Sequence, residues 1–290
     1  MASRLETDDD FEKMVSIILT TFNRRDLLLS RSLPSALNQT YKDYEIIVCD
    51  DGDCGELKDD RVRYFKNTCK GVACNRNFGI KKARGEYIVC LDDDNELCPT
   101  FLEETISYIE GHNLDAVGTA RVIQYKDFAH TVVPKLSKFT SMDWGWLIRR
   151  EVFDVIQYDE NCKANEDADF GIQFGKRFTR TVIDEPLCVA YDEFGDPTKS
   201  TSFPSKRELD GMIYFLNKNL KEYDDPNELR YLYRLAGRKF YRGGHRLKGL
   251  GYFWKSFFAH PRLNSFAHLI FIHFGWFVYN EFMTLTEKHQ

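Results

Sequence analysis

Apolar, β-rich runs alternate with stretches of helical pattern through the first 110 residues, and this alternation limits the fold more than any other feature. Three of the runs end directly at polar residues, and they cover residues 15–19, 44–49 and 86–91. Strands alternating with helices predict a parallel sheet with helices on both faces, which binds its ligands beyond the carboxyl ends of the strands. The polar residues at those ends should therefore meet in one cleft; they are Thr20–Asn23, Asp50–Asp51 and Asp92–Asp94.

The rest of the chain carries weaker signals of the same kind. Further strands are predicted at 62–65, near 115–124 and near 180–191. Further helices are predicted from 25 to about 38 with a kink or restart at Pro34, at 72–84, from Pro99 to Glu110, near 148–156 and near 166–177. From Ser205 the pattern is helical to the end, with breaks at 224–226, 243–244 and 260–261.

Three consecutive aspartates, Asp92-Asp93-Asp94, follow the run that ends at Leu91. Like charges this close repel and raise each other's pKa unless a cation or hydrogen-bond donors neutralise them. Carboxylate oxygens in a cleft suit Mg²⁺ or Mn²⁺, which keep waters and phosphate oxygens as their other ligands. The alternative is a solvated acidic loop without a ligand.

Composition places the chain among ordinary globular proteins, with 290 residues, 43% apolar and 29% charged. The polar stretch from Met1 to Met14 has no apolar core, so neither a signal peptide nor a transit peptide is predicted, and a cytoplasmic protein is expected. None of the eight cysteines forms a C-x-x-C pair, so all eight are predicted to be reduced thiols without a zinc site.

Four ordered blocks of the sequence resemble family 2 glycosyltransferases of the GT-A fold, and they cover residues 15–24, 38–52, 71–94 and 158–170. The resemblance implies an α/β, GT-A-like (Rossmann-like), three-layer and mostly parallel sheet, followed by a C-terminal helical extension. It divides the chain into a flexible N-terminus at 1–13, a catalytic domain at 14–204 and the extension at 205–290. Within the catalytic domain, a nucleotide-sugar half covers about 14–110 and an acceptor half about 111–204.

The family resemblance implies that a sugar is transferred, with inversion, from a nucleotide-sugar to a hydroxyl group of a glycan or lipid-linked glycan. The first expected donor is a UDP-sugar, and GDP- and dTDP-sugars stay open. Asp51 would bind the base, and Phe22 would lie against it or pack in the core. Arg76 would assist the donor or be a surface charge. The full donor-side set is Thr20, Thr21, Phe22, Asn23, Asp51, Arg76, Asn77, Asp92 and Asp93.

The same resemblance implies a divalent cation, Mn²⁺ or Mg²⁺, bound by Asp94 and by Asp92. Which aspartate is the innermost ligand stays open. Family members often add a histidine near 190–200, but this sequence has none between 131 and 244.

On the acceptor side, the resemblance selects Asp167 as the general base that takes the proton of the attacking hydroxyl. Glu166 is a neighbouring candidate, and capping of a helix N-terminus is the alternative role for this acidic group. Trp144 and Trp146 are predicted to contact the acceptor by stacking on a sugar, with core packing as the alternative.

The C-terminal part of the chain is basic, with 14 Lys and Arg against 8 Asp and Glu in residues 201–290 and no acidic residue between Leu229 and Asn280. Interleaved aromatic residues favour either an interfacial helix on an anionic membrane, through 229–290, or a helical cap on the catalytic domain. No nucleic-acid-binding module is recognisable. Two other classes stay open: a sugar-nucleotide nucleotidyltransferase, although residues 20–25 lack the glycine-rich loop it needs, and a non-catalytic carbohydrate- or membrane-binding relative.

Overall fold

A mixed β-sheet with helices on both faces forms the framework of the chain in the computed structural model, which describes residues 13–55, 57, 59–137, 140–191 and 204–261. The described residues do not include 1–12 of the predicted flexible N-terminus, 192–203, where family members often add a histidine, or 262–290 of the C-terminal extension.

The strands, in chain order, are β1 Val15–Thr21, β2 Tyr44–Asp50, β3 Val62–Lys66, β4 Tyr87–Asp92, β5 Asn95–Leu97, β6 Ala116–Gln124, β7 Ala129–Val132, β8 Trp146–Arg149 and β9 Arg180–Tyr191. Their order in the sheet is β3-β2-β1-β4-β8-β6-β9-β5, with β7 paired to β6. The strands from β3 to β4 are parallel, whereas β8 runs antiparallel to both of its neighbours.

The helices of the sheet unit are α1 Arg25–Leu27, a π-helical turn Leu28–Ser32, α2 Leu33–Leu37, α3 Val72–Lys82, α4 Phe101–His112, α5 Val152–Val155 and α6 Glu166–Gly175. Pro34 lies in the first turn of α2, and the chain is helical from Arg25 to Leu37, with a change from the π-helical turn to α-helix just before this proline. The helix predicted near 148–156 is partly wrong, because residues 146–149 pair with β4 and β6 as strand β8 and only 152–155 are helical. Four apolar or half-buried residues in a row do not separate a buried strand from a helix by periodicity.

Alternate residues of the central strands enter two separate cores, which explains the three layers. Ile17 and Leu19 of β1 pack with Leu33 of α2 and Phe101 of α4 on one face. Ile18 points the other way, where the second core is completed by aromatic residues of α6 and by Ala73 of α3. The strand is buried on both sides, which is why it reads as a continuous apolar run.

One disulfide overturns the prediction that all cysteines are reduced: Cys69 is bonded to Cys74, with a Cα–Cα distance of 6.1 Å. The two residues flank the turn that leads into α3, and this turn brings their Cα atoms within the range a disulfide needs. Four residues separate the two cysteines, so they do not form a C-x-x-C pair, and the sequence analysis did not predict that they are bonded. The other six cysteines are free thiols.

A second compact unit consists of the short segment Asn161–Asn165 and the C-terminal helices. These helices are α7 Lys206–Asn219, a 3₁₀ turn Leu220–Glu222, α8 Pro226–Arg242 and α9 Arg246–Ala259. Gly211 of α7 lies so close to the short segment that a Cβ atom there would be 2.6 Å from the backbone nitrogen of Ala164. Helices α8 and α9 meet where Gly237 accommodates the ring of Phe253. Among the described residues, no helix combines the length and apolar character needed to cross a bilayer.

Candidate active site

The carboxyl ends of β1, β2 and β4 lie side by side, which confirms the predicted convergence of their polar residues. In the register of the sheet, Thr20 is paired with Asp92, and Thr21 is paired with Asp50. The Thr20 hydroxyl donates to Asp92 Oδ1 at 3.1 Å, and the Thr21 hydroxyl donates to Asp93 Oδ2 at 2.8 Å. Both threonines therefore hold the aspartates through their side chains.

Arg24 is the cation that neutralises the aspartate cluster, and sequence reasoning did not identify it. Its guanidinium donates from Nε to Asp93 Oδ2 at 3.2 Å and from Nη1 to Asp94 Oδ2 at 2.7 Å, and Nη2 contacts Asp93 Oδ1. Asp93 is fully buried, and this burial raises its pKa to about 6, against the hydrogen bond from Thr21 and the charge of Arg24. Two carboxylates thus converge on one half-exposed cationic side chain.

Arg76 lies inside the protein rather than on the surface, which excludes the surface-charge alternative. Only 2% of it is exposed, although helix α3 around it is largely polar. Its Nη2 contacts Asp92 Oδ1 at 3.1 Å, its Nη1 lies 3.5 Å from a Glu166 carboxylate oxygen, and its guanidinium carbon is 5.3 Å from the centre of the Tyr158 ring. Burial alone would lower the pKa of Arg76, but Asp92, Tyr158 and Glu166 together raise it well above the usual value.

The ion pairs of Arg76 join the tip of β4 to the first turn of α6, where Glu166 and Asp167 lie. Burial raises the pKa of Glu166 to about 7, with Arg76 opposing the shift and the Asp167 charge adding to it. Asp167 points elsewhere, as its helical position predicts, and its carboxylate accepts a hydrogen bond from the hydroxyl of Ser141. The backbone of Met142 donates to the Asp167 carbonyl at 3.2 Å, so the 140–142 loop is bound to the start of this helix.

A glycine makes this docking possible. A Cβ atom at Gly171 of α6 would lie 2.0 Å from the Thr140 carbonyl oxygen, so only glycine allows the helix and the loop to approach this closely. The loop that carries Ser141 is thereby fixed against the helix that carries Asp167.

Asp51 and Phe22 form the other end of the cleft. Asp51 is buried, and its carboxylate accepts from the Gly71 backbone at 2.7 Å and from the Asn75 amide at 3.3 Å. Phe22 is 54% exposed, which excludes the core-packing alternative, and the Lys70 ammonium lies 5.8 Å from its ring centre. An exposed aromatic face beside a fixed carboxylate can accept a flat heterocycle.

Two further predicted donor residues, Asn23 and Asn77, form hydrogen bonds that hold neighbouring segments of the protein together. Asn23 adopts a left-handed conformation at φ 56°, and its side chain accepts from the Asp53 backbone at 2.6 Å, which ties the loops after β1 and β2 together. Asn77 is buried, donates to the Tyr158 carbonyl at 2.8 Å and to a Glu160 carboxylate oxygen at 3.0 Å, and accepts from the Tyr158 backbone.

The structure favours core packing for both tryptophans that were predicted to stack on an acceptor sugar. Trp146 lies against Gly118, where a Cβ atom would come within 2.9 Å of the indole ring. Trp144 is also buried, and Arg121 lies over its ring at 4.4 Å while donating to the neighbouring Asp143. Trp144 lies in one core and Trp146 in the other. Residues two apart in a regular strand share a face, but Gly145 between them has φ 70° and interrupts the extended backbone.

The aspartate cluster fits a divalent cation in the chemistry of its donor atoms. The carboxylates of Asp93 and Asp94 both pair with the Arg24 guanidinium, so their oxygens are of the kind that a divalent cation would use. Asp92 faces Arg76 and offers its carboxylate from the neighbouring position of the strand end.

The model of glycosyl transferase family 2 matches residues 16–177, which is more than half of the chain and contains every residue of the cleft described above. The chain belongs to glycosyl transferase family 2. Sixty curated proteins match this chain significantly, and the Bacillus subtilis protein named uncharacterized glycosyltransferase EpsJ is 29% identical over 256 residues, which are 77% of this chain and 72% of EpsJ.

Two relatives have names that state an activity, but they match a smaller part of the chain. The Escherichia coli UDP-Glc:alpha-D-GlcNAc-diphosphoundecaprenol beta-1,3-glucosyltransferase WfaP is 39% identical over 106 residues, 34% of this chain and 42% of WfaP. The Campylobacter jejuni GalNAc(5)-diNAcBac-PP-undecaprenol beta-1,3-glucosyltransferase is 42% identical over 94 residues, 29% of this chain and 30% of that enzyme.

Solved structures of S. aureus TarS share the fold of this family 2 glycosyltransferase. The complex of TarS 1-349 with UDP has a TM-score of 0.56 at 16% identity, covering 86% of this chain and 81% of that one. The complex with UDP-GlcNAc has a TM-score of 0.53 at 17% identity, with 87% and 75% covered. The likeness confirms the predicted α/β, GT-A-like fold.

Proposed function

We propose that this family 2 glycosyltransferase inverts the anomeric carbon as it moves a sugar from a nucleotide-sugar, first of all a UDP-sugar, to a hydroxyl group of a glycan or lipid-linked glycan. One observation carries the proposal: the buried Arg76 links Asp92 at the tip of β4 with Glu166, the residue beside Asp167. The aspartate cluster and the candidate base are therefore parts of one electrostatic unit rather than two unrelated acidic groups.

The nucleotide end of the donor is assigned to Phe22 and Asp51. The exposed face of Phe22 supplies a stacking surface for a base, and Lys70 beside it offers a positive charge. Asp51 is held by two protein donors and offers its remaining lone pairs to a ring N–H. UDP and UDP-GlcNAc in the TarS structures make a uridine nucleotide the first donor to test.

The diphosphate end is assigned to the aspartate cluster, with Asp94 and Asp92 as ligands of Mn²⁺ or Mg²⁺ and Asp93 beside them. When bound, such a cation neutralises the charge that develops on the leaving nucleoside diphosphate. Arg24 pairs with Asp93 and Asp94, so it would compete with a cation for Asp94, and its guanidinium would be able to face phosphate oxygens once displaced.

Asp167 is assigned as the base. Its carboxylate takes the proton of the acceptor hydroxyl while the oxygen bonds to the anomeric carbon, and the bond from that carbon to the diphosphate oxygen breaks. The Ser141 hydroxyl and the backbone bond from Met142 hold Asp167 in place, which is the positioning that a general base requires. The names of the two glucosyltransferase relatives support a diphosphoundecaprenol-linked acceptor.

A screen of nucleotide sugars by thermal shift, with and without Mn²⁺, followed by transfer assays with the donors that bind, tests the proposal. Asp167→Asn should lower kcat by about 10²- to 10⁴-fold while leaving the Kd for the nucleoside diphosphate unchanged, because the base acts only on the acceptor proton. Asp169→Asn, two residues further along the same helix, is the matched control. The absence of any shift with UDP, GDP or dTDP in the presence of Mn²⁺ would refute the donor assignment.

A further inference from the structure

Helix α9 carries an apolar stripe on the side opposite to the one that packs on α8. Gly249, Phe253 and Ser256 are buried, and the Ser256 hydroxyl donates to the Arg230 carbonyl of α8 at 2.8 Å. The stripe consists of Leu247, Gly251, Trp254 and Phe258, spaced by four, three and four residues. Residues at these spacings share one face of an α-helix.

The stripe is exposed over the whole length of the helix. Leu247 is 86%, Trp254 43% and Phe258 71% exposed, and a Cβ atom at Gly251 would meet nothing within 4 Å. The rings of Trp254 and Phe258 stack on each other with their centres 5.8 Å apart, so they form one aromatic cluster. Large apolar side chains grouped on one exposed face indicate an interaction site rather than scattered surface residues.

Positive charge borders the stripe. Lys248 and Lys255 follow the stripe residues Leu247 and Trp254 directly, and their ammonium groups lie 4.3 Å from the Phe240 ring centre and 5.2 Å from the Tyr252 ring centre. Across residues 229–261 the sequence contains eight Lys and Arg and no Asp or Glu. Long cationic side chains beside an apolar face can reach lipid headgroups while their stems cover apolar surface.

We propose that the stripe formed by Leu247, Gly251, Trp254 and Phe258 inserts into the headgroup region of a bilayer that contains anionic lipid. Aromatic insertion and cationic attraction are the two signals that together give stable interfacial binding. A second copy of the chain fits less well, because symmetric pairing through this face would bring two acid-free cationic surfaces together. The inference extends the proposed function, since a lipid-linked acceptor requires a bilayer, but lipid binding itself needs neither donor nor acceptor.

Flotation of the full chain with vesicles of phosphatidylcholine alone, or with added phosphatidylglycerol, tests the proposal. The wild type should float with the anionic vesicles, and the double variant Trp254→Ala/Phe258→Ala should bind them about tenfold or more weakly, because two buried rings are lost. Phe128→Ala, which truncates a similarly exposed phenylalanine of the sheet unit, is the matched control and should bind as the wild type does. Lys248→Gln/Lys255→Gln should weaken binding to anionic vesicles alone, by about fivefold or more.

Quenching of tryptophan fluorescence by lipid provides a second test that does not depend on whether the double variant folds. Brominated lipid should quench the wild type more than Trp254→Phe, a variant that retains an aromatic ring. Equal flotation of the wild type and the double variant would overturn the proposal. So would light scattering that shows the wild type to be a dimer and the double variant to be a monomer. A UDP thermal shift on the same samples separates failure of lipid binding from failure of the donor assignment.

Discussion

The substitution Arg76→Met tests the central electrostatic unit most directly, because it removes the shared cation and keeps most of the side-chain volume. Arg76 is fully buried and pairs with two carboxylates, Asp92 and Glu166. Breaking a buried ion pair by removing one partner costs about 3–5 kcal/mol, since an uncompensated charge stays behind. Asp92 is partly open to solvent and Glu166 can take up a proton, so we expect the lower end, about 3 kcal/mol.

Urea unfolding and thermal unfolding at pH 7.5 and pH 5.5, each compared with wild type, measure this loss. At about 2–4 °C per kcal/mol for a chain of this size, Tm should fall by roughly 6–12 °C at the higher pH. The decrease in stability caused by Arg76→Met should be smaller at the lower pH, because protonated Glu166 is uncharged and is not left as a buried charge when Arg76 is removed. Arg61→Met is the control. Arg61 forms an exposed ion pair with Asp59, so this substitution should cause no measurable change in the free energy of unfolding. If Arg76→Met unfolds at the same urea concentration as Arg61→Met, the reasoning is refuted.

Two further predictions concern the neighbouring charges. Arg24→Ala should lower the Kd for Mn²⁺ about fivefold in the absence of nucleotide, because the competing guanidinium is removed from Asp93 and Asp94. Electron paramagnetic resonance of free Mn²⁺ measures this Kd, and a higher Kd in the variant would contradict the prediction. Glu166→Gln should alter the pH dependence of stability. Because the folded-state pKa of Glu166 is raised to about 7 from 4.5, its contribution to stability falls as the pH rises between those values and is flat above them. The stability of the variant relative to the wild type should therefore increase from pH 5 to pH 7 in urea titrations, and a parallel pair of curves would argue against a buried Glu166.

The sequence predicted the central sheet because its strands are buried on both faces. Val15–Thr21 and Tyr87–Asp92 stand out as apolar runs with polar ends, and parallel pairing then requires those ends to meet. The segment 146–149 was misassigned because a four-residue strand is too short for periodicity to separate it from a helix. The sequence alone thus predicted the strands whose ends form the cleft better than it predicted strand β8.

The partners of the charged residues were less accessible from the sequence. Arg24 follows a short polar stretch and has nothing in its local pattern to show that it turns back to Asp93 and Asp94. Arg76 lies in a largely polar helix, and only the long-range contacts with Asp92 and Glu166 reveal its burial. These contacts join residues 16 to 90 positions apart and depend on the tertiary fold, which single-residue patterns do not encode.

The five residues Asn161–Asn165 belong to the helical unit, although they lie within the stretch that matches the family and directly precede the helix of Asp167. No single cut in the chain therefore separates the two units. A chimera that exchanges the C-terminal helices between relatives would set a foreign surface against Ala164, where Gly211 now leaves no room for a Cβ atom. Such exchanges should succeed only when 161–165 travel with the helices, because this short segment and the C-terminal helices form one structural unit.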